Sequence, residues 1–455
     1  MISINTNMKL RHWPEIARYQ CTSLNNPPKS DFPAHWEALN GRPKIVRLTA
    51  KIDDLWDYRT DEYFWDYQIG SNRYGKDPVV MDMMDKGKAD SSFYPAGVRD
   101  VRYMDHLLSY AGGAEEVILF FRRYERAVVE GFISIEKYGE VIRTILEHHK
   151  ELCPNIKYVE INEPDCDVFG NLTMFEFYPF YKQLYKAVNT LNKKHQYEVP
   201  IQVGGPCLAF APENFEAWEQ FIRLYMLDDD PEKRLDYYSY HDYNSDTTRL
   251  GLVYEKHKKL AEQMGLKSSP VFVNEFGAIV LADAKYDRAL ENATGIIRAM
   301  LMYSKYEDMH IFPWCSMHDP VAQRSLTQFI RGENGEYIPT PCGHAMRLMN
   351  MLKGTEVKLE GADEGMAAAV CDGSKTRLLI TNCSDRAEEL HITIELSGGS
   401  CEYEEYRVDK NHNNYYTDST HRVLEVTKRG KFALQGSTVL LETRMEPYSF
   451  ALWEF

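Results

Sequence analysis

The chain has 455 residues, 44% of them hydrophobic and 27% charged, the composition of a globular protein rather than of a disordered or fibrous chain. That length accommodates one barrel of roughly 250 residues or more plus a smaller companion domain. A formal net charge of −15 repels a phosphate backbone and an anionic membrane surface alike, which argues against nucleic acid and membrane as partners. No stretch approaches the roughly 18 consecutive apolar residues that cross a bilayer.

Residues 1–10 alternate polar and apolar and lack the apolar run of a secretory leader. They read as a cytoplasmic start, although a periplasmic or secreted chain that had lost its leader would read the same. Up to about residue 345, short β-rich runs alternate with helical stretches, the pattern of repeated βα units around a parallel sheet. The runs fall at 18–24, 44–50, 116–121, 156–162, 201–204, 235–241, 271–274 and 310–314, enough for a closed (β/α)8 TIM barrel. Apolar residues at helical spacing predict helices over 134–152, 175–194, 215–226 and 289–305. From about residue 346 the texture changes to short alternating strands with Gly, Asn and Asp turns. We therefore expect an α/β barrel over 1–345 and a C-terminal β-sandwich over 346–455. Nine scattered Cys with no C-x-x-C spacing suit neither a disulfide framework nor a zinc site.

Two carboxylates stand out because each ends a predicted strand, where the catalytic groups of such barrels project. Glu163 sits in Val159-Glu160-Ile161-Asn162-Glu163-Pro164, where Pro164 stops the strand. Glu275 sits in Val271-Phe272-Val273-Asn274-Glu275-Phe276-Gly277, where Gly277 would permit a sharp backbone exit. Cleaving a glycosidic bond needs one carboxylic acid to protonate the leaving oxygen and a second group to meet the oxocarbenium-like carbon. The two environments must differ, so that Glu163 holds its proton while Glu275 stays ionised.

Asn-Glu-Pro ending the fourth strand and a Glu ending the seventh resemble the signature of clan A glycoside hydrolases. Gly204-Gly205-Pro206 on the fifth strand and Ser239-Tyr240-His241-Asp242-Tyr243 on the sixth look most like glycoside hydrolase family 39, the β-xylosidase and iduronidase group. The resemblance spans most of the barrel, and the trailing β-sandwich fits it too. It implies a retaining mechanism with Glu163 as acid/base and Glu275 as nucleophile. It also implies Arg47 bonded to the nucleophile, Asn162 on the sugar 2-hydroxyl, His241 and Tyr243 beside Glu275, and Trp314 stacked on a sugar. The phrase around Glu275 departs from the xylosidases and resembles cellulase-like or agarase-like members of the clan, which leaves the substrate open.

The stretch after the second strand holds Trp56, Tyr58, Tyr63, Phe64, Trp65, Tyr67 and Tyr74 among several Asp. Loops at this end of a barrel form its binding site, so Trp56 and Trp65 are candidates for a sugar-stacking lid; the alternative is a loop packing its own rings on the barrel. Arg122, followed by Arg123 after the third strand, could bind an anionic sugar through forked donors or pair with local acids. His148 and His149 lie on a predicted helix and read as solvated. There is no H-E-x-x-H, phosphate-cradling loop, dinucleotide fingerprint or G-x-S-x-G elbow, and neither cofactor nor metal is implied. The expected partner is a plant or algal carbohydrate. The rivals are an endo-acting galactanase, agarase or glucanase of the same clan, and a carbohydrate-binding protein that kept the barrel with weak or no turnover. Oligomeric state is not legible.

Overall fold

The computed structural model describes residues 1–455 except 23–28, 70–76, 80, 81, 83–100, 167–170, 210, 212, 267–269, 318–322, 374, 397–401, 433 and 436. Tyr74 and the end of the first expected run lie outside the described residues.

Eight parallel strands form one sheet in chain order: Tyr19–Cys21, Ile45–Lys51, Glu116–Arg122, Ile156–Ile161, Gln202–Leu208, Tyr237–Tyr243, Val271–Gly277 and Met309–Pro313. Each overlaps one of the runs expected from sequence. The backbone N–H of Ser316, just past the eighth strand, donates to the carbonyl of Cys21 on the first at 2.9 Å, drawing the sheet into a near-closed TIM barrel. Helices coat the outside. Ile135–Leu152 begins on Ser134, whose hydroxyl accepts from the Lys137 N–H, and Met174–His195 begins on a reciprocal Thr173 and Glu176 capping box. Phe215–Leu227 and Ala289–Tyr303 also match expectation. Phe32–Asn40, Tyr103–Gly113, Thr248–Gln263 and Pro341–Met351 were not anticipated.

Strand alternation builds the barrel interior in layers. Tyr19, Ile45, Ile118, Tyr158, Tyr237, Phe272 and Phe312 pack together as an apolar lower layer. Two residues further along the same strands come Cys21, Arg47, Phe120, Glu160 and Asn274, so the next layer toward the carboxyl-terminal ends is mostly polar. The fifth and sixth strands approach closely: a Cβ on Gly204 would lie 2.1 Å from the Tyr237 ring, so glycine is required there. A cavity of about 530 Å³ opens at the opposite, amino-terminal end, lined by Trp13, Tyr19, Tyr303 and His310 among others. Features at that end of a barrel serve stability rather than chemistry.

The second domain is a β-sandwich whose strands form one ten-stranded ladder. Ile2, Ile4, Leu378, Ile380, Ile392, Ile394, Val439 and Trp453 meet in its core. The division at 345 differs from what the structure shows. Helix Pro341–Met351 runs across that point, and the sandwich strands resume at Thr355–Glu360. Strand Ile2–His12, expected within the barrel, instead pairs antiparallel with Thr355–Glu360 and parallel with Glu388–Glu395. The physical reason is its alternation: Ile2, Ile4 and Thr6 are buried while Ser3 and Met8 are exposed, the pattern of a half-covered strand. No helix among the described residues is long and apolar enough to cross a membrane.

Candidate active site

The seventh strand carries a bulge between Val273 and Glu275 in its pairing with the sixth. Regular alternation would send Asn274 and Glu275 to opposite faces; a bulge re-aims a side chain, and here both reach the interior. On the fourth strand the ladder ends at Ile161, and Asn162 adopts a left-handed φ of 52° that turns the chain before Glu163. Glu163 and Glu275 are 6% and 8% exposed, largely enclosed yet still reachable. One carboxylate oxygen from each, with a ring nitrogen of His241, lies within 4.8 Å of the others.

Glu275 is held on both oxygens. Arg47 donates from Nη1 to Oε1 at 2.7 Å, and Tyr243 donates from its hydroxyl to Oε2 at 2.7 Å. Nδ1 of His241 faces the same Oε2 at 3.4 Å. Burial, reinforced by Arg47 and Arg122, pushes His241 down to about 3 against the opposing pull of Glu163, so the imidazole is neutral near pH 7. Burial and the neighbouring Glu275 carboxylate push the Tyr243 phenol well above its ordinary range, which keeps it protonated as a donor. Gly277 does not adopt a left-handed backbone; its role is space. A Cβ there would sit 2.7 Å from Leu326 and 2.9 Å from Tyr243, displacing the ring that reaches Glu275.

Arg122 brings Nη2 to 3.8 Å from Glu163 Oε2, so of the two candidate uses of this side chain the local ion pair is present. Asn162 is fully buried, and neither its amide oxygen nor its amide nitrogen has a protein partner. Such a group is costly unless something else bonds it. Trp314 follows the eighth strand, half-buried beside the apolar interior layer and next to Tyr243, with its indole N–H donating to Gln323.

Trp56 and Trp65 do not join this cluster, a correction to the lid expectation. Trp56 is buried in the main core, its indole N–H bonded to Asp61 at 2.9 Å and its ring edge-on to Tyr124. Trp65 stacks on Tyr63 and on His148, against helix Ile135–Leu152 on the barrel's outside. An aromatic run between polar residues has the same sequence signature whether its rings meet a sugar or the core. Trp56→Ala is therefore expected to destabilise the fold by about 3–5 kcal/mol in chemical denaturation, the range for truncating a core Trp. His149 likewise is buried rather than solvated, with Nε2 2.9 Å from the Tyr103 hydroxyl.

Sequence reasoning passed over Glu160, Asn274, Cys21 and Cys207. Glu160 accepts from Arg47 Nε at 2.5 Å and from Asn274 Nδ2 at 2.7 and 2.8 Å on its two oxygens. The Cys21 and Cys207 sulfurs lie 3.7 and 3.5 Å from the Arg47 guanidinium. The available signal was a charged residue inside the strand run Tyr158-Val159-Glu160-Ile161, which a barrel strand covered on both faces can hold only with a partner. Among the described residues, two groups of side chains have donors close enough to hold a metal: Glu163, His241 and Glu275 in this site, and Glu147, Glu151 and His195 on the outer helices. In the first, a cation would compete with Arg47 and Tyr243 for Glu275.

No family model matches the sequence. No curated protein matches it either. Solved structures do match, over the whole of this chain. A glucosidase from Croceicoccus marinus superposes with a TM-score of 0.66 at 17% identity, covering 100% of this chain and 98% of that one. A GH39 β-xylosidase from Caulobacter crescentus gives 0.65 at 14% identity, covering 100% and 99%. A GH86 protein in complex with neoagarooctaose gives 0.61 at 13% identity, covering 100% and 78%. The barrel and sandwich together thus have the fold of these neighbours.

Proposed function

We propose that the protein is a retaining glycoside hydrolase that cleaves a β-glycosidic bond of a plant or algal oligo- or polysaccharide by double displacement. The observation that carries this reading is the pair Glu163 and Glu275, with oxygens inside 4.8 Å of each other at the carboxyl-terminal mouth of the barrel. Retaining pairs stand roughly 5–5.5 Å apart, whereas inverting pairs leave room for a water at about 6.5–9.5 Å.

In the first step a Glu275 oxygen bonds to the anomeric carbon as the carbon–oxygen bond to the leaving group breaks. Glu163 gives its proton to the departing oxygen. In the second step Glu163 takes a proton from water, the water oxygen bonds to the anomeric carbon, and the bond to Glu275 breaks with its electron pair returning to the carboxylate. Arg47 and Tyr243 fix Glu275 on the line of attack. Asn162, whose buried amide has no protein partner, would bond a sugar hydroxyl beside the reacting carbon. Tyr243→Phe removes one bond to a charged group and is expected to lower kcat/KM roughly 10- to 100-fold, read in steady-state kinetics.

The fold neighbours named as a glucosidase and a β-xylosidase direct the first trials to aryl β-glucosides and β-xylosides. The neighbour bound to neoagarooctaose adds agar-type oligosaccharides, where a ladder of products would mark endo action. The reading is tested by following the first-formed sugar by proton NMR: the β-anomer is expected before mutarotation. First formation of the α-anomer contradicts retention, and tight sugar binding with no hydrolysis of any glycoside contradicts catalysis.

A further inference from the structure

Resting on that reading, we propose that Glu160 is a positioning residue that keeps Arg47 neutralised and aimed while Glu275 is covalently occupied. Glu160 and Arg47 are both buried, at 0% and 1% exposed, so each charge there needs a partner that water cannot supply. Arg47 is a single cation between two carboxylates: Nε on Glu160 at 2.5 Å and Nη1 on Glu275 at 2.7 Å. For the resting protein one carboxylate would neutralise it. A second buried carboxylate adds a desolvation penalty that packing does not require.

The second carboxylate is explained by the reaction. When Glu275 bonds to the sugar it becomes a neutral ester. Arg47 would then be a buried cation with no counter-charge, a situation that costs several kcal/mol in proteins. Glu160 supplies that charge throughout. It cannot turn away, because Asn274 Nδ2 donates to both of its oxygens at 2.7 and 2.8 Å. In the resting state it also shares Arg47's field, so Glu275 is not locked in a one-to-one ion pair that would blunt it as a nucleophile. The Phe120 ring lies 4.1 Å from the guanidinium carbon and closes one side of the group. Arg47 therefore keeps a carboxylate partner at each stage of the reaction, while the three groups pass from a net charge of about −1 at rest to neutral in the ester.

Removing the charge should change the two steps in opposite directions. Forming the ester strips Arg47 of its last partner, so it slows; breaking the ester restores that partner, so it accelerates. The experiment uses the full-length protein and a 2-deoxy-2-fluoro β-glycoside of whichever sugar the wild type hydrolyses, which forms the ester and releases it slowly. In Glu160→Gln the inactivation rate constant is expected to fall roughly 10- to 100-fold with the half-saturating concentration held. Recovery of the purified trapped protein is expected to speed up about tenfold. A purely structural role would lower the fraction of molecules labelled but leave both rate constants unchanged, and that result overturns the proposal.

Should Glu160→Gln not fold, adding Asn274→Asp restores the pattern in reverse. The glutamine oxygen then faces Arg47, its amide donates to position 274, and the negative charge remains in the layer. That double variant is expected to fold and to inactivate within about tenfold of wild type. Failure of a folded double variant to label at all also overturns the proposal. A wild type inactive on every glycoside tried overturns the hydrolase reading itself, and this inference with it.

Discussion

Glu275→Ala is expected to lose hydrolysis by several orders of magnitude, because the covalent route disappears rather than being weakened. The variant should still fold. Arg47 loses one partner but keeps Glu160 at 2.5 Å, so no buried cation is left alone. On the proposed mechanism, the truncation opens space beside the anomeric carbon on the face from which Glu275 would attack. Azide in that space should restore turnover of an activated aryl β-glycoside and yield the α-glycosyl azide, since only one displacement then occurs. A steady-state assay with and without azide, with the product's anomeric configuration read by NMR, checks both parts. Hydrolysis at the wild-type rate would remove Glu275 from the chemistry.

The second large effect depends on the leaving group. Glu163→Ala should reduce turnover of substrates with a basic leaving group by about 10²–10⁴-fold, the usual contribution of general acid–base catalysis. A dinitrophenyl glycoside departs without a proton, so its first step should be nearly unaffected. The second step still lacks its base, the covalent species accumulates, and KM should fall together with kcat. A rapid burst of dinitrophenolate followed by slow turnover is the expected trace. Equal loss on both kinds of substrate would mean that Glu163 does not serve as the acid.

Much of this arrangement was readable from residues alone, and the failures have identifiable causes. The barrel strands were visible because strands covered on both faces become short apolar β-branched runs, and seven of seven residues in Ile45–Lys51 are buried. Glu163 and Glu275 were visible because a carboxylate where such a run stops needs a reason to be there. The destination of Ile2–His12 was not legible, since its parallel partner Glu388–Glu395 lies far along the chain and nothing local encodes that pairing. Trp56 and Trp65 misled because ring content does not reveal which way a ring points. Glu160 and Asn274 lie inside strands buried on both faces, where nothing local marks which side chain points into the barrel and meets Arg47. The bulge at Val273 and Glu275, which lets adjacent residues share the interior, breaks the alternation that a sequence reading assumes.

The central claim is that Glu275 attacks the sugar, and mass spectrometry of the protein after incubation with 2-deoxy-2-fluoro β-glycosides of glucose, xylose and galactose tests it most directly. The expected result is a mass increase of one fluorosugar per chain, with the label on the peptide containing Glu275 and absent from Glu275→Ala. A label on any other side chain, or active enzyme that never acquires one while releasing the inverted sugar, would contradict the account.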